Sequence, residues 1–141
     1  MRLENKNAIV TGAAKGMGAA ITLTLAGEGA DVLLTARDTA ALDEVAQQAR
    51  ALGRRAEVVS TDVTDDGQVK AMVGSAKTFF DGRIDILVNV AGVTGPIEMP
   101  VWDIEAEDFS YVIESSIRGT SGLRGYRSRR ALSGYGDFPG R

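Results

Sequence analysis

The chain contains no cysteine and no histidine. The first absence excludes a disulfide framework and thiolate chemistry; the second excludes a histidine-ligated metal and a Ser-His relay, so no metal site is expected. No apolar run reaches the length that crosses a bilayer, and Met1-Arg2-Leu3-Glu4-Asn5-Lys6 lacks the apolar stretch of a secretory signal. A membrane partner is therefore not expected, and the cytoplasm is the default compartment. What remains is an ordinary composition, 44% hydrophobic and 25% charged. At 141 residues it is one domain's worth of chain, long enough to bury a real core.

Charge is unevenly spread along that chain. Residues 1–117 carry 18 acids against 10 bases, while residues 118–141 carry six Arg against one Asp. A basic tail can serve as a nucleic-acid arm, but a body this acidic repels a phosphate backbone, so nucleic acid is not the expected partner. The tail also holds six Gly, and its only branched aliphatics are Leu123 and Leu132, with no period of 2 or 3.6. An Arg/Gly-rich, irregular segment is expected there. The expected division is thus a folded unit over 1–117 and a tail over 118–141.

Within the folded unit, apolar runs and helical periodicities alternate. Ala8 to Thr11, Asp31 to Ala36, Ala56 to Ser60 and Ile84 to Val88 read as strands. Between them, Ala19, Ala20, Leu23 and Ala26 recur at helical spacing, as do Leu42, Val45, Ala46, Ala49 and Leu52, and then Val69, Met72, Val73, Ala76 and Phe79. Asp38 is positioned to cap the second helix, with Gly53 as its stop, and Thr64 or Asp65 to cap the third. A further helical stretch is expected over Trp102 to Ile117, with Phe109, Val112 and Ile113 on its apolar face, after a loop from Val93 to Pro100. Four strand-helix alternations predict right-handed crossovers and an α/β, Rossmann-like, doubly wound parallel sheet that stops after about four strands.

The stretch Thr11-Gly12-Ala13-Ala14-Lys15-Gly16-Met17-Gly18 joins the first strand to the first helix. A helix N-terminus offers unpaired N–H groups and partial positive charge, and glycine lets backbone come close to an anion. Strand before and helix after are the context in which such a glycine loop reads as a phosphate cradle. Its spacing, T-G-x-x-x-G-x-G, together with Asp62-Val63 after the third strand and Asn89-Val90-Ala91-Gly92 after the fourth, resembles the short-chain dehydrogenases/reductases over residues 1 to about 114. The resemblance implies a strand order of 3-2-1-4 and a ligand over the carboxyl ends of strands 1 and 4.

It also implies roles. Gly12, Gly16 and Gly18, with Met17 among them, would hold a pyrophosphate; Asp62 would accept from the adenine amine with Val63 beside the ring; and Asn89, Ala91 and Gly92 would pass close to the ribose and nicotinamide. NAD-preferring members carry an acid at the end of strand 2, whereas this chain has Ala36 followed by Arg37, which together with Lys15 suits a 2′-phosphate and predicts NADP(H) over NAD(H). The alternatives are solvated surface charges at Lys15 and Arg37 and a plain loop acid at Asp62.

Two departures concern the chemistry. Val90 stands where the family has a second Asn, and Ser116, too short for the same bridge, stands where it has the Asn that supports the catalytic Lys. The family's Ser and Tyr-x-x-x-Lys pair, which assist hydride transfer between nicotinamide and a carbonyl or hydroxyl, belong beyond the fourth helix. Tyr126-Arg-Ser-Arg-Arg130 imitates the spacing, but the basic residue is Arg and the flanks lack strand and helix. Tyr126, Ser121, Ser128 and Ser133 are therefore not expected to be catalytic. The expected activity is that of an NADP(H)-dependent ketoreductase, incomplete as written; the alternatives are a non-catalytic nucleotide-binding module and a truncated or frame-shifted product. A small carbonyl or alcohol substrate would require the catalytic half. The family's dimers and tetramers would require helices that are missing.

Overall fold

A computed structural model describes residues 1–92, 105–113 and 116. The elements are β1 (Asn7–Thr11), α1 (Gly16–Gly27), β2 (Asp31–Ala36), α2 (Thr39–Ala51), β3 (Ala56–Ser60), α3 (Asp66–Phe79), β4 (Ile86–Asn89) and α4 (Ala106–Ile113). Every strand pair is parallel and the sheet runs β3-β2-β1-β4. The chain builds outward from β1 to β3 and then returns to the other side of β1. Between β1 and β4 lies the switch point at which open α/β sheets open a crevice for ligands.

Two apolar layers sandwich the sheet. On one face Ala8, Val10, Val32 and Leu34 pack against Ala26 of α1 and Leu42, Val45, Ala46 and Ala49 of α2. On the other, Ile9 and Leu33 pack against Val69, Met72, Val73 and Ala76 of α3, with Phe80. Successive strand residues point to opposite faces, so a strand covered on both sides must be apolar throughout, and β1 is buried along its whole length. Among the described strands β4 lies at the sheet edge and shows the contrast. Ile86 and Val88 join the first layer, while Leu87, in register with Ile9, points to the α3 side and is 38% exposed. No helix among the described residues is long and apolar enough to cross a membrane.

Several details differ from the sequence expectation or sharpen it, and at the strand starts the reason is polar. β1 begins at Asn7, which is only 8% exposed because its side chain donates to the Arg83 carbonyl at 2.8 Å and its N–H to Asp85 Oδ2 at 3.0 Å. β4 begins at Ile86, two residues late, since Asp85 is taken up by Asn7, Arg83 and Lys6 below the strand. Leu52 lies beyond α2 as its C-cap residue and is 49% exposed instead of lining the helix face. Ala20 is exposed on α1, whose buried positions are Gly18, Thr22 and Ala26. Asp38 caps α2 through the Ala41 N–H, and Asp65, not Thr64, caps α3 through the N–H groups of Gly67 and Gln68. Of the stretch expected to be helical over Trp102 to Ile117, the helix is described over Ala106–Ile113, where Val112 is half-buried and Ile113 exposed. The loop from Val93 to Pro100, the Phe109 side chain and the tail over 118–141, including Tyr126, Ser121, Ser128 and Ser133, lie outside the described residues.

At the amino ends of the strands, Asp31 clamps the start of β3 to β2. Its carboxylate accepts from the Arg55 N–H at 3.0 Å, Arg55 Nε at 2.7 Å and Arg54 Nε at 3.2 Å. Burial alone would raise its pKa; the Arg55 and Arg54 hydrogen bonds outweigh that and hold it below the ordinary carboxylate value. A depressed folded-state pKa contributes stability that is present above about pH 4 and is lost as pH falls through the folded value. Asp31→Asn is therefore expected to cost about 1–2 kcal/mol at pH 7 and progressively less as the pH falls below about 4. Urea melts of both proteins at neutral pH and through the acid range check this; a gap that does not narrow in acid would assign the loss to packing.

Candidate functional site

The loop from β1 to α1 runs under the switch point. Gly12 has φ +66°, and a Cβ there would lie 2.7 Å from the Ala91 nitrogen. The β4 end is held in that close approach by Thr11, whose Oγ1 accepts the N–H groups of Val90 and Ala91, both at 3.2 Å. Gly18, in the first turn of α1, sits so tightly on Gly12 that a Cβ would overlap the Gly12 carbonyl oxygen. Gly16, at φ +55°, faces open space.

Helix α1 starts differently from its neighbours. Lys15 occupies the N-cap position with no side-chain cap hydrogen bond, and the first turn holds no acid. Aspartates cap α2 and α3. The leading N–H groups of α1 thus meet no carboxylate from their own cap, and partial positive charge collects there.

Above the loop opens a cleft of ≈ 440 Å³, a volume within the range of small-molecule sites. Gly12, Ala14 and Lys15 form one wall, and Val90, Ala91 and Gly92 another. The third is built at the ends of β2 and β3 by Ala36, Arg37 and Asp38 and by Thr61, Asp62 and Val63. Asp62 Oδ1 accepts the N–H of Thr64 at 2.9 Å and its hydroxyl at 2.7 Å. Those two bonds hold the Asp62 pKa below its ordinary value; burial opposes them, and the charge of nearby Arg37 adds to the lowering.

Of the residues singled out in the sequence, Gly12, Lys15, Arg37, Asp62, Val63, Ala91 and Gly92 come together around this cleft. Gly18 lies beneath it as packing, and Gly16 and Met17, the latter 69% exposed, stand at the exposed start of α1. Asn89 ends β4 opposite Thr11. Ser116 is brought to the nearby loop: a Cβ on Gly92 would lie 3.3 Å from its Oγ. Sequence reasoning assigned no place to Ala14 or Thr61, treated Val90 only as a departure, and gave no role to Thr11. The hydroxyl of a strand-end threonine carries no periodic signal. Among the described residues, no group of three carboxylate, His or Cys side chains stands together for a metal ion.

A parallel sheet ordered 3-2-1-4, with a glycine turn and an uncapped helix under its switch point, defines a nucleotide-binding α/β fold of the Rossmann type. The family model described as short chain dehydrogenase matches residues 6–123, and the chain belongs to that family of NAD(P)-binding oxidoreductases. Its relatives include the 3-oxoacyl-[acyl-carrier-protein] reductase of Thermotoga maritima, 37% identical over 119 residues that make up 84% of this chain and 47% of that one. The fold matches a short chain dehydrogenase from Burkholderia cenocepacia in complex with NADP, with TM-score 0.82 and 34% identity over 89% of this chain and 50% of the other. It also matches an NAD+-bound xylitol dehydrogenase, with TM-score 0.84 and 32% identity over 89% of this chain and 47% of the other. The chain spans about half the length of these relatives.

Proposed function

We propose that the cleft binds NADP(H) in preference to NAD(H), and that the chain contributes the cofactor-binding part of an oxidoreductase of the ketoreductase kind. Residues 1–117 form that part and residues 118–141 a separate tail. Bound NADPH would supply a hydride to a carbonyl; this chain's residues would hold and orient the dinucleotide. Gly12, Gly16, Met17 and Gly18 admit the pyrophosphate to the N-terminus of α1, Asp62 and Val63 receive the adenine, and Asn89, Ala91 and Gly92 border the ribose and nicotinamide. The observation that carries the preference is Arg37 on the cleft wall beside Ala36, where no carboxylate replaces it. Asp38, the neighbouring acid, is turned to the Ala41 N–H as a helix cap.

A second reading, nucleotide binding without turnover, is favoured by Ser116 at the position where the family places its Asn. A serine brought to Gly92 lacks the reach to support a distant lysine. Calorimetry of the 141-residue chain with NADPH and NADH tests the site itself. NADPH should bind about ten- to a hundredfold more tightly, the worth of one charge-assisted hydrogen bond of roughly 1.5–3 kcal/mol. Gly16→Asp, which meets nothing within 4 Å and bears only the strain of φ +55°, should still fold and should weaken both ligands by setting a carboxylate at the helix N-terminus. A folded chain that binds neither dinucleotide would overturn the reading.

A further inference from the structure

Two buried hydroxyls in the described structure have no hydrogen-bond partner, Thr35 Oγ1 and Thr61 Oγ1. Both residues are sealed, Thr35 at 0% and Thr61 at 2% exposure. Valine has the same shape without the unsatisfied group, so each hydroxyl is held at a cost to stability. The two stand on the same side of the sheet. Thr35 follows Leu33 by two residues and Thr61 follows Val59 by two, and both Leu33 and Val59 pack in the layer with α3.

Only one of them borders the cleft. Thr61 lines it between the Ala36-Arg37 and Asp62-Val63 walls; Thr35 does not. The Thr61 N–H is already spent on the Ala36 carbonyl at 3.0 Å, which fixes the backbone against the end of β2. Its side-chain hydroxyl remains unpaired, with one donor and two acceptor positions.

We infer that Thr61 Oγ1 is a ligand contact at the β2–β3 end of the cleft, reached by rotation about χ1 and made to the adenosine half of a dinucleotide. The inference rests on the cofactor reading above. Its content is that the hydroxyl serves affinity at the expense of stability, whereas that of Thr35 serves no ligand. A ring nitrogen or a ribose hydroxyl satisfies it equally well.

The test uses the full chain with Thr61→Val, Thr35→Val, Thr61→Ser and Thr61→Ala. Melting is followed thermally, and binding of adenosine 2′,5′-bisphosphate, nicotinamide mononucleotide and NADPH by calorimetry. Both valine variants should melt no lower than the unsubstituted chain. Thr61→Val should weaken the bisphosphate and NADPH about five- to tenfold and leave the mononucleotide unchanged, while Thr35→Val binds all three normally. Serine and alanine at 61 both lose the methyl group and differ in the hydroxyl alone, so serine should bind more tightly than alanine even if valine disturbs the fold. Equal binding by those two variants would overturn the contact, as would an equal loss in Thr35→Val. Failure of the unsubstituted chain to bind NADPH or the bisphosphate would instead remove the cofactor reading, and this contact with it.

Discussion

Gly18→Ala is expected to destabilise the chain by about 3 kcal/mol and to abolish dinucleotide binding, although it adds a single methyl group. Overpacking a filled site commonly costs about 1–3 kcal/mol, and more where the neighbour cannot move. Here the neighbour is backbone throughout: the new Cβ overlaps the Gly12 carbonyl oxygen and falls 2.8 Å from Gly12 C and 3.0 Å from Ala13 Cα. Gly12 cannot retreat, because its own Cα faces Ala91 at a distance that admits no Cβ. Ala91 in turn is tied to Thr11 by its N–H. The turn, the first helix and the end of β4 therefore move together or not at all. Gly16→Ala is the control: it meets nothing within 4 Å and bears only the strain of φ +55°, about 1–2 kcal/mol. Urea unfolding of the two variants should show at least a 1 kcal/mol gap between them. Equal stability would mean that the turn is not packed as described.

That chain of contacts shows what was legible in the sequence. Strands β1 and β2 and the apolar faces of α2 and α3 were readable because burial on both sides of a sheet, or on one side of a helix, imposes a period on residue type. The strand order and the cradle followed from glycine spacing and the family resemblance. Illegible were the places where a polar side chain does a structural task. Asn7 extends β1 by hiding its amide against Arg83 and Asp85, and Asp85 delays β4 for the same reason. Thr11 holds the loop after β4, seventy-nine positions away in sequence at Val90, and no local pattern announces a partner at that separation. Leu52 misled in the opposite sense, since the apolar period ran one residue past the point where the helix stops. Within the site, the residues that meet across the cleft are strand ends, and a strand end is located only once the register is known.

Arg37→Ala is expected to weaken NADPH about tenfold while leaving NADH within twofold. The estimate sits at the low end of the worth of a charge-assisted hydrogen bond because the guanidinium is not idle without ligand: its charge already stabilises the Asp62 carboxylate. A 2′-phosphate must compete with that interaction, and Arg37 is exposed, so solvent screens what is gained. Raising the salt concentration should therefore shrink the difference between the two cofactors and affect NADH little. The complementary change, Ala36→Asp, introduces beside Arg37 a carboxylate that repels a 2′-phosphate and can accept from a ribose hydroxyl. It should move the preference toward NADH by about tenfold or more, since a charge that repels the phosphate is added and the ribose hydroxyl, a neutral donor, gains a partner. Titrating both variants with both cofactors distinguishes recognition from folding. A damaged sheet weakens NADH and NADPH alike, whereas a phosphate contact at the end of β2 moves one and spares the other. Equal losses in Arg37→Ala would place the discrimination elsewhere in the cleft, with Lys15 on the opposite wall as the next residue to substitute.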